Sequence, residues 1–187
     1  GGVTISLNSN VVFDSINRCS IYINYASCGM DFYKVGEIPV ALYLDTLTVD
    51  YLDNYYILSQ EIPFWTPLND IALYVNNAYL QSNGSDLYVS PNGKNDNPGT
   101  SPNAPLKNIG YALLKANPDS IIGQTIFLLP GIYSDSMNNE WYPLGFKSHI
   151  TIMGSGVDTT ILDAENIVYH FHGSSLTKNY SIKNMTL

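Results

Sequence analysis

Thr125-Ile126-Phe127-Leu128-Leu129, closed by Pro130-Gly131, and His149-Ile150-Thr151-Ile152-Met153, closed by Gly154-Ser155-Gly156, are the runs on which the fold turns. Each is long enough for a buried strand, too short for a helix, and stopped by residues that break a ladder. Thr159-Thr160-Ile161-Leu162-Asp163, Val168-Tyr169-His170-Phe171 and the final run from Tyr180 to Leu187 follow in the same manner. Short strands recurring every roughly 10–25 residues suit a coiled parallel sheet in which each turn of chain stacks on the last. The sequence stops inside the last of them, at Leu187. An uncovered strand edge invites association, so further chain or another subunit is expected to cover it.

Upstream, Leu87-Tyr88-Val89-Ser90 reads as a short strand, and the stretch from Pro91 to Thr100 is dense in turn formers. Pro105 opens a helix predicted over 106–117, in which Leu106, Ile109, Leu113 and Ala116 recur at helical spacing until Asn117-Pro118 stops it.

Three groups of residues then carry a resemblance: Tyr88-Val89-Ser90-Pro91-Asn92-Gly93, Asn97-Pro98-Gly99-Thr100 and Ala104-Pro105-Leu106-Lys107-Asn108-Ile109. They resemble the N-terminal opening of pectin-lyase-like right-handed parallel β-helix proteins. The run from Thr125 to Tyr133 resembles that family's first rung; Ile150 to Gly156, Thr160 to Ala164 and Ile182 to Leu187 resemble later ones. The resemblance spans residues 86–187. It implies a capping role for helix 106–117, and an apolar helix face is a convenient cover for an open solenoid end. The family holds polysaccharide lyases and hydrolases, phage tailspikes, adhesins and surface proteins, so fold alone does not fix function. Catalytic groups in its enzymes usually lie on middle rungs, which this sequence barely reaches.

Residues 1–85 show no amphipathic helix. Val3-Thr4-Ile5-Ser6-Leu7 alternates apolar and polar, and Val11 to Phe13, Ile21 and Ile23, Val40 to Leu44, Leu47 to Val49, Tyr55 to Leu58 and Ile71 to Val75 continue as strand-like runs. Pro63 and Pro67 keep their stretch out of a central strand. The expectation is an all-β chain: a small antiparallel, sandwich-like module over 1–85, then a parallel β-helix with one capping helix over 86–187. Nothing ahead of Val3 holds the first strand, so it is expected to add to a neighbour's sheet edge and give head-to-tail self-association.

Sixteen acids against eight bases give the 187 residues a net charge of −8, and only 13% are charged. Phosphate binding needs clustered Lys and Arg, so nucleic acid is excluded as a partner. No run of 18 apolar residues exists to span a membrane as a helix. Gly1-Gly2-Val3-Thr4-Ile5 has neither a basic nor an apolar leader segment, so any signal peptide is expected to be gone already. Polarity comes instead from 20 Asn and 15 Tyr, residues of corners and of strands with a wet tip. Such a surface suits a secreted coat, and an extracellular or cell-surface location is expected.

The chemistry-bearing residues are few. Cys19 and Cys28 flank a strand–turn–strand and read as a disulfide, with two free buried thiols as the alternative. Asn83, Asn179 and Asn184 head sequons of the Asn-x-Ser/Thr type and are candidates for N-linked glycan; Thr66 is a weaker O-linked one. Asp96 and Asn97, beside Asn92 and Asn95, offer oxygens to calcium, but Asp96 is the loop's one carboxylate, and a turn held by side-chain hydrogen bonds is the plainer reading. No other cofactor is expected. His170 and His172 share a strand face, with Tyr169 and Phe171 expected in the core and no third ligand for a metal. Asp158, Asp163 and Glu165 are the nearest approach to paired carboxylates. No Arg follows Arg18 to clamp a uronate, and Lys147, Lys178 and Lys183 are weak substitutes.

Three functions compete on these grounds. The first is an extracellular structural glycoprotein, a filament subunit or adhesin, without catalytic residues. The second is the N-terminal part of a polysaccharide lyase or glycoside hydrolase with active rungs beyond Leu187. The third is a carbohydrate-binding module that uses exposed Tyr, Trp65 or Trp141 as stacking platforms.

Overall fold

Thr125 stands beside Thr151, and Thr151 beside Ser181, so one turn of the coil takes 26 and then 30 residues. The structure, a computed structural model, describes residues 2–6, 10–24, 31–35, 39–48, 58–60, 71–173 and 178–187. The chain divides into two units, Gly1–Gln81 and Ser82–Leu187.

In the second unit, β7 (Leu87–Val89), β8 (Gln124–Leu128), β11 (Ile150–Gly154) and β14 (Ser181–Lys183) form one sheet, every neighbouring pair parallel. β9 (Gly131–Tyr133) pairs with β12 (Thr160–Leu162), and β10 (Leu144–Gly145) with β13 (Phe171–His172), again in parallel. The chain visits the three sheets in turn, which makes a parallel β-solenoid of about four turns. Alternation decides what lies inside. Gln124, Ile126 and Leu128 of β8 are buried while Thr125 and Phe127 face outward, and β11 repeats the pattern. Leu87, Val89, Ile126, Leu128, Ile150, Ile152 and Leu162 stack in the interior. Each of these contributes roughly 1.5–3 kcal/mol through burial.

At the lead-in to three of the four strands of this sheet, β8, β11 and β14, one register position turns through the left-handed region: Gly123 at φ 76°, His149 at 61° and Asn179 at 54°. His149 is tied to both neighbours, its carbonyl accepting the Gln124 N–H at 2.9 Å and its own N–H donating to the Lys178 carbonyl at 3.0 Å. Asn is among the residues that tolerate this corner, which accounts for part of the Asn content.

The helix is shorter than predicted. α1 (Ile109–Lys115) presents Ile109, Ala112, Leu113 and Leu114 to the core, but Leu106 is extended and bridges Val89 in parallel. The Leu106 N–H donates to the Tyr88 carbonyl and its carbonyl accepts the Ser90 N–H. Residues before Asn108 therefore cover the free edge of β7, which helical backbone could not do.

The first unit corrects the expected antiparallel module. β1 (Val3–Ile5), β3 (Phe32–Val35) and β5 (Leu58–Gln60) make one sheet; β2 (Cys19–Ile21), β4 (Val40–Leu47) and β6 (Ile71–Ala78) make the other. All four pairings are parallel. Successive strands alternate between the sheets, so this unit is itself a coil with two strands per turn. Val3 pairs with Phe32, Tyr33 with Leu58 and Val40 with Ile71, a repeat of 29, 25 and 31 residues. Alternation shows that one strand face is buried; it is silent on the partner's direction. Nor is β1 unheld, since β3 pairs with it and the Asp31 carbonyl accepts the Val3 N–H at 2.8 Å. Val11 to Phe13 form no strand, and Val12 is 83% exposed.

Parallel register also explains the Tyr content. Tyr43 stacks on Tyr74 at 4.7 Å, Tyr22 on Tyr79 at 4.3 Å and Tyr88 on Phe127 at 5.1 Å. Tyr43 and Tyr74, like Tyr88 and Phe127, sit at one register position on neighbouring strands, about one strand spacing of 4.7–4.9 Å apart, so their rings pile face to face. Tyr22 and Tyr79 instead follow β2 and β6, which β4 separates.

Candidate functional site

Two loops on successive turns of the second unit enclose a cleft of about 140 Å³. The segment after β9 gives it Asp135, Glu140, Trp141 and Tyr142; the segment after β12 gives Asp163, Glu165 and the apolar Ala164, Ile167 and Val168. Asp135 opens a single helical turn, α2 (Asp135–Asn138), whose N-cap Ser134 accepts the Met137 N–H at 3.2 Å. Trp141 is 47% exposed and forms one wall.

Three of the four carboxylates serve the fold. Glu140 is buried, and its carboxylate accepts the Ile109 N–H at 2.7 Å and the Gly110 N–H at 3.0 Å. It therefore satisfies two of the orphan donors at the start of α1. Glu165 does the same for α2, accepting the Ser136 N–H at 3.0 Å, and hydrogen bonds from Ser136 and Ser134 hold its carboxyl below the usual range. Asp163 accepts the Glu165 N–H at 2.8 Å, which fixes a tight turn at Glu165. Thus the structure brings Asp163 and Glu165 into one cleft, whereas Asp158 does not line it.

The far end of α1 has a matching group. Lys147 is buried and donates to the Leu114 carbonyl at 3.3 Å and the Ala116 carbonyl at 2.9 Å. An acid at the N-terminus and a base at the C-terminus both complement the helix dipole. Desolvation nevertheless dominates each. Burial pushes the Glu140 carboxyl up to about 7, against the hydrogen bonds that favour its ionised form, and pushes the Lys147 ammonium down to about 7. The phenols of Tyr133 and Tyr142 are pushed up first by burial and then by the charge of Glu140.

These shifts set a pH profile. Burial of neutral Glu140 stabilises the fold fully below its ordinary 4.5, and that contribution is lost as pH rises through about 7. Burial of neutral Lys147 stabilises fully above its ordinary 10.5 and is lost as pH falls through about 7. Melting temperature is therefore expected to pass through a minimum near pH 7. Thermal melts from pH 5 to pH 9.5 should show it, with E140Q removing the acid-side slope and K147M the alkaline-side slope. A profile that peaks at neutrality would contradict the assignment.

Neither group was singled out from sequence for this role, Lys147 having been weighed only as a substitute clamp. The available signal was a charge set inside an otherwise apolar run: Glu140 precedes Trp141-Tyr142-Pro143-Leu144, and Lys147 follows Phe146.

The remaining candidates scatter. Asn95 accepts the Lys107 and Asn108 N–H groups, and the Asn97 amide donates to the Pro105 carbonyl at 2.7 Å, while Asp96 is exposed. His170 is half-buried, its Nε2 at 2.9 Å from the Leu162 carbonyl and its ring edge-on to Tyr142. Phe171 packs against the core as expected, but Tyr169 is 58% exposed, because β13 begins only at Phe171 and the alternation does not reach back. Among the described residues no three His, Cys, Asp or Glu side chains gather as a metal site. Cys19 is free and exposed on β2; Cys28, Trp65 and Thr66 lie outside the described residues. Of the sequon residues, Asn179 and Asn184 are exposed corners at φ 54° and 55°, while Asn83 is half-buried and accepts the Ser85 N–H at 2.7 Å. No helix among the described residues is long and apolar enough to cross a membrane.

Residues 91–182, a little under half of the chain, match the family described as protein of unknown function DUF1565, a family associated with parallel β-helix proteins. No curated protein and no solved structure gives a match to the chain.

Proposed function

We propose that the chain acts as an extracellular surface protein, a β-solenoid that scaffolds and adheres rather than catalyses. The observation that carries this reading is the state of the cleft carboxylates. Glu140 holds two backbone N–H groups with its two oxygens, and Asp163 and Glu165 each hold one. These three are engaged by the fold, whereas a facing acid–base pair needs two unengaged carboxyls. Sparse charge, stacked Tyr and Asn corners support the location. The exposed Asn179 and Asn184 are the places where this reading puts glycan. It also includes self-association: β1 and β2 are edge strands of their sheets, and a second copy would meet backbone groups there.

The test pairs location with activity. Protease treatment of intact source cells should remove the protein, and the purified chain should leave neutral and acidic polysaccharides unshortened. Protection from the protease overturns the location. Shortening of any polysaccharide moves the chain to the second reading, part of a lyase or hydrolase.

A further inference from the structure

We infer that the Trp141 cleft holds one six-membered sugar ring, neutral or amino-bearing, and turns away uronic acids. This deepens the adhesive reading and rests on it for the claim that the sugar is held rather than cleaved. Size comes first. A cleft of about 140 Å³ is well below the 300 Å³ or more of sites for larger ligands. A closed cavity of about 150 Å³ holds benzene, so a cleft of this size takes one pyranose ring with its substituents reaching into solvent, and no second ring.

The wall comes next. In the first unit the exposed ring of Tyr22 lies face to face with Tyr79 and that of Tyr74 with Tyr43, so one face of each is already covered. Trp141 stacks on no ring among the described residues and stays 47% exposed at the cleft. An aromatic face of this kind suits the C–H face of a pyranose, and Ala164, Ile167 and Val168 continue the apolar surface. Charge then chooses among sugars. Asp135, Asp163, Glu140 and Glu165 line the cleft and, among the described residues, no Lys, Arg or His does. The Asp135 carboxylate and the Oδ2 of Asp163, which the described residues leave open, accept from hydroxyl and ammonium groups, and the acidic lining repels a uronate. An ammonium beside Trp141 gains a cation–π contact as well.

The experiment uses the intact chain with methyl glucosaminide, methyl glucoside and methyl glucuronide, followed by ligand-observed NMR titration at pH 7.5. The glucosaminide is expected to bind at least tenfold more tightly than the glucuronide, with the glucoside between them. W141A should weaken glucosaminide binding at least tenfold and W141F much less, with an unchanged circular dichroism spectrum because the side chain is half exposed. Equal binding of the glucuronide, unchanged binding by W141A, or no binding of any of the three at about 50 mM overturns the inference. Release of methanol from the methyl glucosaminide during the titration instead removes the non-catalytic reading and leaves the cleft standing.

Discussion

E140A is expected to cost the second unit about 3–5 kcal/mol and to lower its melting temperature by more than about 10 °C. Alanine leaves the Ile109 and Gly110 N–H groups buried without an acceptor, each at about 1–3 kcal/mol, and opens a void where the carboxylate stood. The damage reaches beyond the helix. Ile109, Ala112 and Leu113 share one cluster with Leu87, Val89, Ile126 and Ile152, so a frayed α1 exposes the first rungs. E140Q separates hydrogen bonding from charge. Its one amide oxygen accepts from one of the two N–H groups while its NH2 faces the other, so at pH 5, where native Glu140 is largely neutral, it should recover about half of the E140A loss. Near pH 8 its deficit against the native chain should shrink, because the native chain then keeps an ionised carboxylate buried. Urea unfolding at the two pH values reads both effects. An E140A loss below about 1 kcal/mol would mean that the helix start finds other acceptors.

Sequence and structure part company where periodicity says too little. The second unit was legible because its rungs are closed by Pro130-Gly131 and Gly154-Ser155-Gly156, and because Ile126 and Ile152 bury the same face. In the first unit the strands at Val3, Val40 and Ile71 were found, but their pairing was not. A period of two gives a buried face without a direction, and the repeat of 25–31 residues shows only once Tyr43 is set beside Tyr74. The cleft was half legible. Asp163 and Glu165 were weighed together with Asp158 as the nearest approach to paired carboxylates, while Trp141 was named separately as a sugar platform. Their meeting depends on stacking the loop after β9 on the loop after β12, a separation of 22 residues between Trp141 and Asp163 that no local pattern reports. Glu140 and Lys147 belong to the same kind of information, since a charge in an apolar run becomes a helix cap only when the helix end it serves lies opposite.

The polar core of the first unit should be as sensitive as that of the second, and Asp31 is its centre. Asp31 is fully buried just ahead of β3, and its carboxylate accepts the Asn24 N–H at 2.9 Å, the Asn24 side-chain amide at 2.8 Å and the Thr48 hydroxyl. Thr48 in turn accepts the Ile23 N–H at 2.8 Å. One carboxylate thus joins the segment between β2 and β3 to the segment that follows β4, two crossings of the coil one turn apart. Each crossing carries backbone groups that the sheets cannot satisfy, and a buried donor without a partner costs about 1–3 kcal/mol. D31A removes the common acceptor of all three donors and is expected to cost about 3–5 kcal/mol. D31N keeps one oxygen and should cost roughly half as much. T48A loses one of the three bonds to Asp31 and leaves the Ile23 N–H open, so about 1–2 kcal/mol is expected. Combined in a double-mutant cycle, D31A and T48A should cost clearly less than the sum of the single changes, because each already breaks the bond they share. Strict additivity in urea unfolding would show that Asp31 and Thr48 act separately, and the coil would then owe its crossings to apolar packing alone.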